Sequence, residues 1–282
     1  MPRRAASRRW TRATTRGSTT RCSSTSRATS LGSCAISASE RGHAPPASGP
    51  APALIVVADD YGRSPRYDAG IAAAAGAGAL DAVSVMATRQ HDPAPLLAAG
   101  VEIGLHLELT GRSGEGGGGE APAGAAERGA ALAALADQLA RLAASIGREA
   151  AYLDGHHHCH ADAELAAALG AEAARRGLPV RSVSAAHRRV LRGLGASTPD
   201  RLVGRLSEAE PVLPAELEPL VAGRGGLPSG VTEWMVHPGY VDPGAGSSYD
   251  AGRAEDLSLL LELAGRDDLR ALRTTHQVLR KS

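Results

Sequence analysis

Apolar and polar positions along this chain form short apolar runs that are separated by longer segments rich in alanine and leucine. Residues 53–58 are continuously apolar, which is typical of a strand buried on both faces of a parallel sheet. Residues 101–109 alternate instead, so that Gly104, His106 and Glu108 share one face of the predicted strand. The predicted strands are residues 53–58, 83–86, 101–109, 152–153 and 231–237.

The segments between these runs predict helices. Ser64 and Pro65 suit the N-cap and first position of a helix that extends to Gly76. The predicted helices are residues 64–76, 92–99, 127–147, 162–176 and 249–264. Residues 111–124 predict a glycine-rich lid or linker, and residues 269–278 fit either strand or helix. Residues 182–230 show helical pieces only, and we expect His187, which lies beside basic residues, to be exposed. Strands that alternate with helices favour an α/β fold with parallel strands and right-handed crossovers.

Composition separates the first 50 residues from the rest. They contain nine arginines and one acidic residue, Glu40, and show no sustained period, so we expect disorder. This segment has three interpretations: an organellar transit peptide, a nucleic-acid-binding arm, or an over-extended start that is not part of the working protein. The last is favoured because the first strand begins sharply at residue 53. We expect residues 51–282 to form one folded domain.

The remaining residues exclude several function classes. Beyond residue 50, 22 basic residues face 29 acidic ones, which argues against nucleic-acid binding. Cys22, Cys34 and Cys159 form no disulfide pattern and fit a reducing compartment, so we expect a cytoplasmic protein. The longest apolar runs fall short of the roughly 18 residues typical of a membrane span.

Residues 154–160 read Asp-Gly-His-His-His-Cys-His, and this density of polar side chains is hard to explain as core packing. In an extended segment Asp154, His156, His158 and His160 would share one face, whereas in a helix His156 and His160 would lie four residues apart on one side. Either geometry would bring imidazoles together and favours a divalent metal. A solvated polar turn or a fragment of an affinity tag is the alternative.

Further candidate residues fall at the ends of the predicted strands. Asp59 and Asp60 follow the first strand, His106 lies in the third, and His237 ends the last. This is the edge at which α/β enzymes place their chemistry. Taken singly, the two aspartates could cap a helix, His106 could be a hydrogen-bonded core residue and His237 could shape a turn. Glu108 and Glu233 fit structural roles better than catalytic ones.

Five motifs follow one another along the chain: residues 57–62 (Val-Ala-Asp-Asp-Tyr-Gly), 84–86 (Ser-Val-Met), 104–107 (Gly-Leu-His-Leu), 153–160 (Leu-Asp-Gly-His-His-His-Cys-His) and 233–240 (Glu-Trp-Met-Val-His-Pro-Gly-Tyr). In this order the motifs resemble those of the YdjC-like carbohydrate deacetylases, over residues 53 to 265. The resemblance implies an irregular (β/α) barrel that removes acetyl groups from N-acetylated sugars with a divalent metal.

Carried over to this sequence, the resemblance implies that Asp60, His106 and His156 hold one metal ion, that Asp59 is the general base and that His237 is the general acid. It implies Mg²⁺, whereas the donor types favour Zn²⁺ or a similar ion. Two histidines and one carboxylate leave coordination positions for water and substrate, as in catalytic sites. His157, His158 and His160 would orient ligands or contact sugar hydroxyls.

Two other functions fit the same residues. One is a non-catalytic metal-binding protein that uses the histidine-rich cluster, and the other is a metal-dependent hydrolase of a different bond, such as a phosphoester. We expect an N-acetylated sugar as the binding partner, with a homodimer as a possible assembly, and neither nucleic acid nor a membrane as a partner.

Overall fold

The computed structural model describes residues 50–109 and 125–280. The predictions for residues 1–49 and for the glycine-rich segment 111–124 therefore lie outside the described residues, and the domain boundary at residue 51 stays a prediction. Within the described ranges, no helix combines the length and apolarity that crossing a bilayer requires.

Six parallel strands form one curled sheet in the order β4-β3-β2-β1-β6-β5. With helices between the strands this is an α/β half-barrel, which confirms the predicted parallel fold and is consistent with the expected (β/α) barrel. The strands are β1 (Pro52–Tyr61), β2 (Ala82–Val85), β3 (Glu102–Leu107), β4 (Leu153–Gly155), β5 (Arg201–Val203) and β6 (Gly230–Val236).

Eight α-helices lie in the described part of the chain. The helices are α1 (Pro65–Gly76), α2 (Ala94–Ala99), α3 (Ala125–Ile146), α4 (Ala166–Arg176), α5 (Ala185–Gly193), α6 (Glu218–Val221), α7 (Asp250–Leu263) and α8 (Asp267–Arg270). Ser64 caps α1 by accepting a hydrogen bond from the Arg66 backbone N–H, as the sequence predicts. Three 3₁₀ helices span His156–Ala161, Pro243–Ala245 and His276–Leu279.

The largest differences from prediction lie where the sequence has no clear period. Residues 182–230 contain β5 as well as α5 and α6, and β5 was not predicted. Residues 269–278 are neither one strand nor one helix, because Arg273 forms an isolated bridge to Leu54 before the last 3₁₀ helix begins at His276. His187 sits in α5 and is buried, not exposed, with its ring centroid 5.5 Å from that of His160.

The two faces of β1 meet different surroundings. Leu54, Val56 and Ala58 belong to the main apolar core, which consists mostly of leucine, valine, isoleucine and alanine. Ile55 and Val57 alternate with these residues along β1, so they face the other side of the sheet, where they join a smaller apolar cluster. That side also contains buried charged groups. The sheet interior therefore combines a small apolar cluster with a network of buried ion pairs.

Gly104 in β3 leaves room for the ring of Tyr152, which is fully buried beside the strand. A Cβ atom on residue 104 would lie 2.4–2.5 Å from three atoms of that ring. Contacts this short require the ring or the strand to move. The absence of a side chain at residue 104 is therefore a packing requirement of the sheet interior.

Substituting Gly104→Ala is expected to lower the free energy of unfolding by about 1–3 kcal/mol because it overpacks the interior. Urea denaturation measures the change. Gly129→Ala is the matched control, since residue 129 is an exposed position of α3 with nothing within 4 Å of an added Cβ. The control should raise stability by up to about 1 kcal/mol, and equal effects of the two substitutions would contradict the packing argument.

Candidate functional site

A cavity of about 510 Å³ opens at the carboxyl ends of the strands. Parallel strands place their C-terminal ends at the same edge of a sheet, so side chains distant in sequence meet there. The five residues predicted to carry the chemistry all line this cavity: Asp59, Asp60, His106, His156 and His237. The structure thus brings the predicted site residues together, while their individual roles stay predictions.

An irregularity at the end of β1 lets two consecutive aspartates serve one cavity. Ala58 pairs with Val83 and Tyr61 with Val85, so β1 has one residue more than β2 over this stretch. Asp60 takes a left-handed conformation with φ of 70°, which aspartate tolerates better than most residues. The extra residue turns the Asp60 carboxylate into the cavity, although consecutive residues of a regular strand face opposite ways.

Three potential metal ligands converge in this cavity. Asp60 Oδ1 lies 3.2 Å from His106 Nε2 and 2.9 Å from His156 Nδ1. Each residue offers a ligand atom, and these atoms lie within 4.8 Å of one another. Two imidazoles and one carboxylate are a donor set typical of catalytic metal sites. The residues therefore fit the metal that the sequence implies.

Two arginines hold the Asp60–His156 pair in place. Arg253 Nη2 donates to Asp60 Oδ2, which leaves Oδ1 facing both imidazoles, and its guanidinium lies 4.0 Å from the centroid of the Tyr67 ring. Arg63 Nη1 lies 3.2 Å from His156 Nε2. Burial raises the pKa of Asp60, but hydrogen bonds from the two histidines and the charge of Arg253 outweigh burial and hold this pKa well below its usual value.

His106 is oriented by a buried carboxylate. Its Nδ1 lies 2.8 Å from Asp154 Oδ1, and the Ser84 hydroxyl donates to the other oxygen of Asp154 at 2.6 Å. Such a carboxylate fixes the ring so that the opposite nitrogen can reach a metal. Burial lowers the pKa of His106, but the Asp154 and Asp59 carboxylates outweigh it and raise the pKa to about 10.

Asp59 is paired with a buried guanidinium. Arg181 Nη1 and Nη2 donate to the two Asp59 oxygens at 2.5 and 2.8 Å, and Arg181 also contacts Asp154 at 2.8 Å and Glu233 at 2.5 Å. Burial raises the pKa of Asp59, but Arg181, His106 and His237 outweigh burial and hold this pKa far below its usual value. Asp59 is therefore ionised throughout the physiological range of pH.

A second group of potential ligands, Asp59, His106 and Asp154, lies beside the first. Arg181 already neutralises both carboxylates of this second group, Asp59 and Asp154. The guanidinium charge would repel a cation placed between them. In the group that contains Asp60, Arg253 contacts Oδ2 and leaves Oδ1 facing both imidazoles, so this group is the better metal site.

His237 follows β6 and reaches the cavity. Its backbone N–H donates to Asp256 Oδ2 at 2.8 Å, and its Nδ1 is buried without a hydrogen-bond partner among the described residues. Burial lowers the pKa of His237 more than the nearby carboxylates raise it. His237 thus offers a neutral imidazole with an uncommitted nitrogen at the cavity wall.

The prediction that the histidine cluster converges on one point is wrong. Residues 156–161 form short 3₁₀ turns that are interrupted at His157 and His158, whose positive φ angles of 48° and 57° are not helical, so neither strand nor α-helix spacing applies. Within the described chain, His156 alone of the cluster joins the ligand group. His160 turns inward, where its Nε2 lies 3.1 Å from the Arg181 carbonyl oxygen, and His158 lines the cavity.

Sequence reasoning missed Arg181, Arg253 and the orienting role of Asp154. Arg181 lies between the predicted helix 162–176 and residues 182–230, in a segment with no predicted element, and its backbone N–H donates to the Leu153 carbonyl oxygen of β4. Arg253 lies in α7, and no sequence signal distinguishes it from a surface arginine. Glu108 binds Arg89 and Thr88, which agrees with its predicted structural role.

Comparison with known proteins identifies the family of this chain. The sequence profile of a family described as YdjC-like protein matches residues 53–271. No curated protein sequence matches the chain significantly. A solved structure from Enterococcus faecalis, for which cellobiose-phosphate cleavage has been suggested, is similar with a TM-score of 0.66 and 21% identity over 82% of this chain and 100% of that one. A lactam utilization protein from Thermus thermophilus is 15% identical over 79% of this chain and 98% of that one, with a TM-score of 0.48.

Metal affinity should rise with pH. Because His106 without a metal holds a proton up to a pKa of about 10, an ion has to displace that proton to bind the ring. We expect the association constant for Zn²⁺ or Mn²⁺ to increase by about tenfold per pH unit between pH 6 and pH 8, measured by titration calorimetry in buffers of different ionisation enthalpy. His91→Gln, a control outside the ligand group, should keep this slope. A pH-independent affinity in the wild type would contradict the raised pKa.

Proposed function

This chain belongs to the YdjC-like family of carbohydrate-processing enzymes, related to carbohydrate deacetylases, and we propose that it is a metal-dependent hydrolase that removes acetyl groups from N-acetylated amino sugars. One observation carries the proposal. A three-residue ligand group, an ionised aspartate that is not part of it and a histidine with an uncommitted nitrogen line the same cavity. These are the parts that amide hydrolysis requires.

Asp60, His106 and His156 would hold the ion. When bound, it supplies Lewis-acid chemistry, which lowers the pKa of a water molecule and polarises the acetyl carbonyl group. Arg253 keeps Asp60 from rotating by holding its second oxygen, and Asp154 does the same for the His106 ring. The protein thus fixes the ligand atoms before substrate arrives, so that little reorganisation is needed during the reaction.

Asp59 is the general base in this proposal. Arg181 holds both carboxylate oxygens, so Asp59 is ionised and fixed in position before it takes the proton of the attacking water. The low pKa of Asp59 means that it does not retain the proton strongly. His237 starts as a neutral imidazole; in this proposal it takes over the proton that Asp59 accepted from water and delivers it to the departing nitrogen, which returns Asp59 to its ionised form.

The cavity is large enough for a sugar residue with its acetyl group. Met235, Tyr249 and Leu206 supply apolar surface along its wall, while Ser247 and Ser248 supply hydroxyl groups. Sugars present alternating apolar and hydroxyl faces, which such a wall matches. A metal-storage role is less well supported, because a single histidine of the cluster reaches the ligand group within the described chain.

Substituting Asp59→Asn tests the proposed base. Acetate release from a panel of N-acetylated mono- and oligosaccharides should fall by about 10³-fold in kcat. The metal content per chain should stay unchanged, because Asp59 is not a ligand in this proposal. Asp60→Asn should lose both metal and activity, since it removes a ligand.

Asp200→Asn is the matched control, because Asp200 also pairs with an arginine, Arg192, but lies outside the cavity. It should retain wild-type turnover. Unchanged acetate release in Asp59→Asn would contradict the assigned base. Cleavage of a phosphoester without acetate release would favour the hydrolase of another bond, and several ions per chain without turnover would favour metal storage.

A further inference from the structure

Three buried charged groups, Arg181, Glu233 and His276, form a series that leads from the cavity toward the C-terminal end of the described residues. Arg181 Nε donates to Glu233 Oε1 in β6, which uses one oxygen of that carboxylate. The other oxygen, Glu233 Oε2, has no hydrogen-bond partner in the described part of the chain. Facing it at 3.7 Å is His276 Nε2, which also has no hydrogen-bond partner there.

His276 is held firmly from its other side. Its backbone N–H and its Nδ1 lie 2.7 and 3.0 Å from the same oxygen, Glu102 Oε2. Its ring stacks on Tyr152 with the centroids 3.8 Å apart and the planes 13° from parallel, and the side chain is fully buried. Two carboxylates on opposite sides of one imidazole are the surroundings of a doubly protonated ring, in which both nitrogens donate.

The charges around His276 agree with a positive ring. Glu102 faces it from β3 and Glu233 faces it from β6, with the Tyr152 ring over one face. Asp81, next to β2, also acts on it and is itself paired with Arg273 at 2.6 Å. Burial lowers the pKa of His276, but Glu102 and Glu233 outweigh burial and raise it.

The carboxylates that contact Arg181 carry more negative charge than one guanidinium can neutralise, so a second positively charged side chain is needed. Arg181 is the single guanidinium that contacts Asp59, Asp154 and Glu233, within the part of the chain described here. A buried carboxylate without a counter-charge is strongly disfavoured. If Glu233 lacked a second partner, it would compete with Asp59 for the Arg181 guanidinium.

We propose that His276 is a positioning residue for Asp59: as an imidazolium between Glu102 and Glu233, it neutralises Glu233 and so leaves Arg181 to hold Asp59 in place. This inference rests on the proposed function of Asp59. His276 itself does not line the cavity, and its ring faces Glu102, Glu233 and Tyr152 instead of the candidate metal ligands. Its effect passes through Glu233 and Arg181.

The charge of His276 can be measured without substrate. In the full chain, ¹⁵N-labelled imidazole signals distinguish the doubly protonated ring from the neutral ring, and comparison with His276→Gln assigns the signal. We expect His276 to remain doubly protonated at pH 7.5, where an unperturbed histidine is mostly neutral. A neutral His276 ring at pH 7.5 would overturn the proposal.

Kinetics test the positioning role. In His276→Gln the glutamine can still donate to Glu102, but the positive charge is lost. We expect kcat for acetate release to fall about tenfold with KM and bound metal unchanged, because small displacements of a catalytic group cost about this much or more. His187→Gln, which removes another buried histidine, should leave kcat unchanged.

Adding Glu233→Gln to His276→Gln separates positioning from packing. The second substitution removes the carboxylate that His276 neutralises, so kcat should recover to within about threefold of the wild type. A double variant as impaired as His276→Gln, or a His276→Gln enzyme with wild-type kcat, would overturn the proposal. A wild type that releases no acetate contradicts the proposed function instead, and the NMR measurement still decides the charge of His276.

Discussion

A single buried guanidinium is the interaction on which the interior of this protein depends. Arg181 contacts carboxylates that belong to β1, β4 and β6, so its position fixes three strands relative to one another. Removing one partner of such a buried group leaves an uncompensated charge, which typically costs about 3–5 kcal/mol. The same contacts keep Asp59 ionised at the cavity. The same guanidinium thus stabilises the sheet interior and keeps the proposed base ionised.

Much of this arrangement follows from the sequence, because it depends on strand positions alone. Apolar runs identify most strands, and parallel strands end at a common edge, so Asp60, His106 and His156 had to lie near one another once β1, β3 and β4 were recognised. The capped start of α1 and the parallel α/β architecture follow from equally local signals. The order of motifs also identified the family, which the profile match confirms.

What sequence reasoning could not supply depends on backbone conformations and tertiary contacts. The left-handed residues His157 and His158 destroy the regular spacing from which convergence of the histidines was inferred. Arg181 gained its role through pairing beside β4, and a buried arginine has no periodic signature. His187 is preceded by the polar Ser184 cap and followed by two arginines, so its burial depends on α5 packing near His160.

The extra residue in β1 makes two adjacent and chemically identical side chains unequal. Asp59 and Asp60 differ by one position, yet one lies against Arg181 and the other against His106, His156 and Arg253. A regular strand would have sent them to opposite faces of the sheet. One inserted amino acid therefore does what would otherwise require carboxylates from two separate strands. Removing the extra residue of β1 would leave the composition of the pocket almost unchanged, but the two aspartates could no longer have different partners within one cavity.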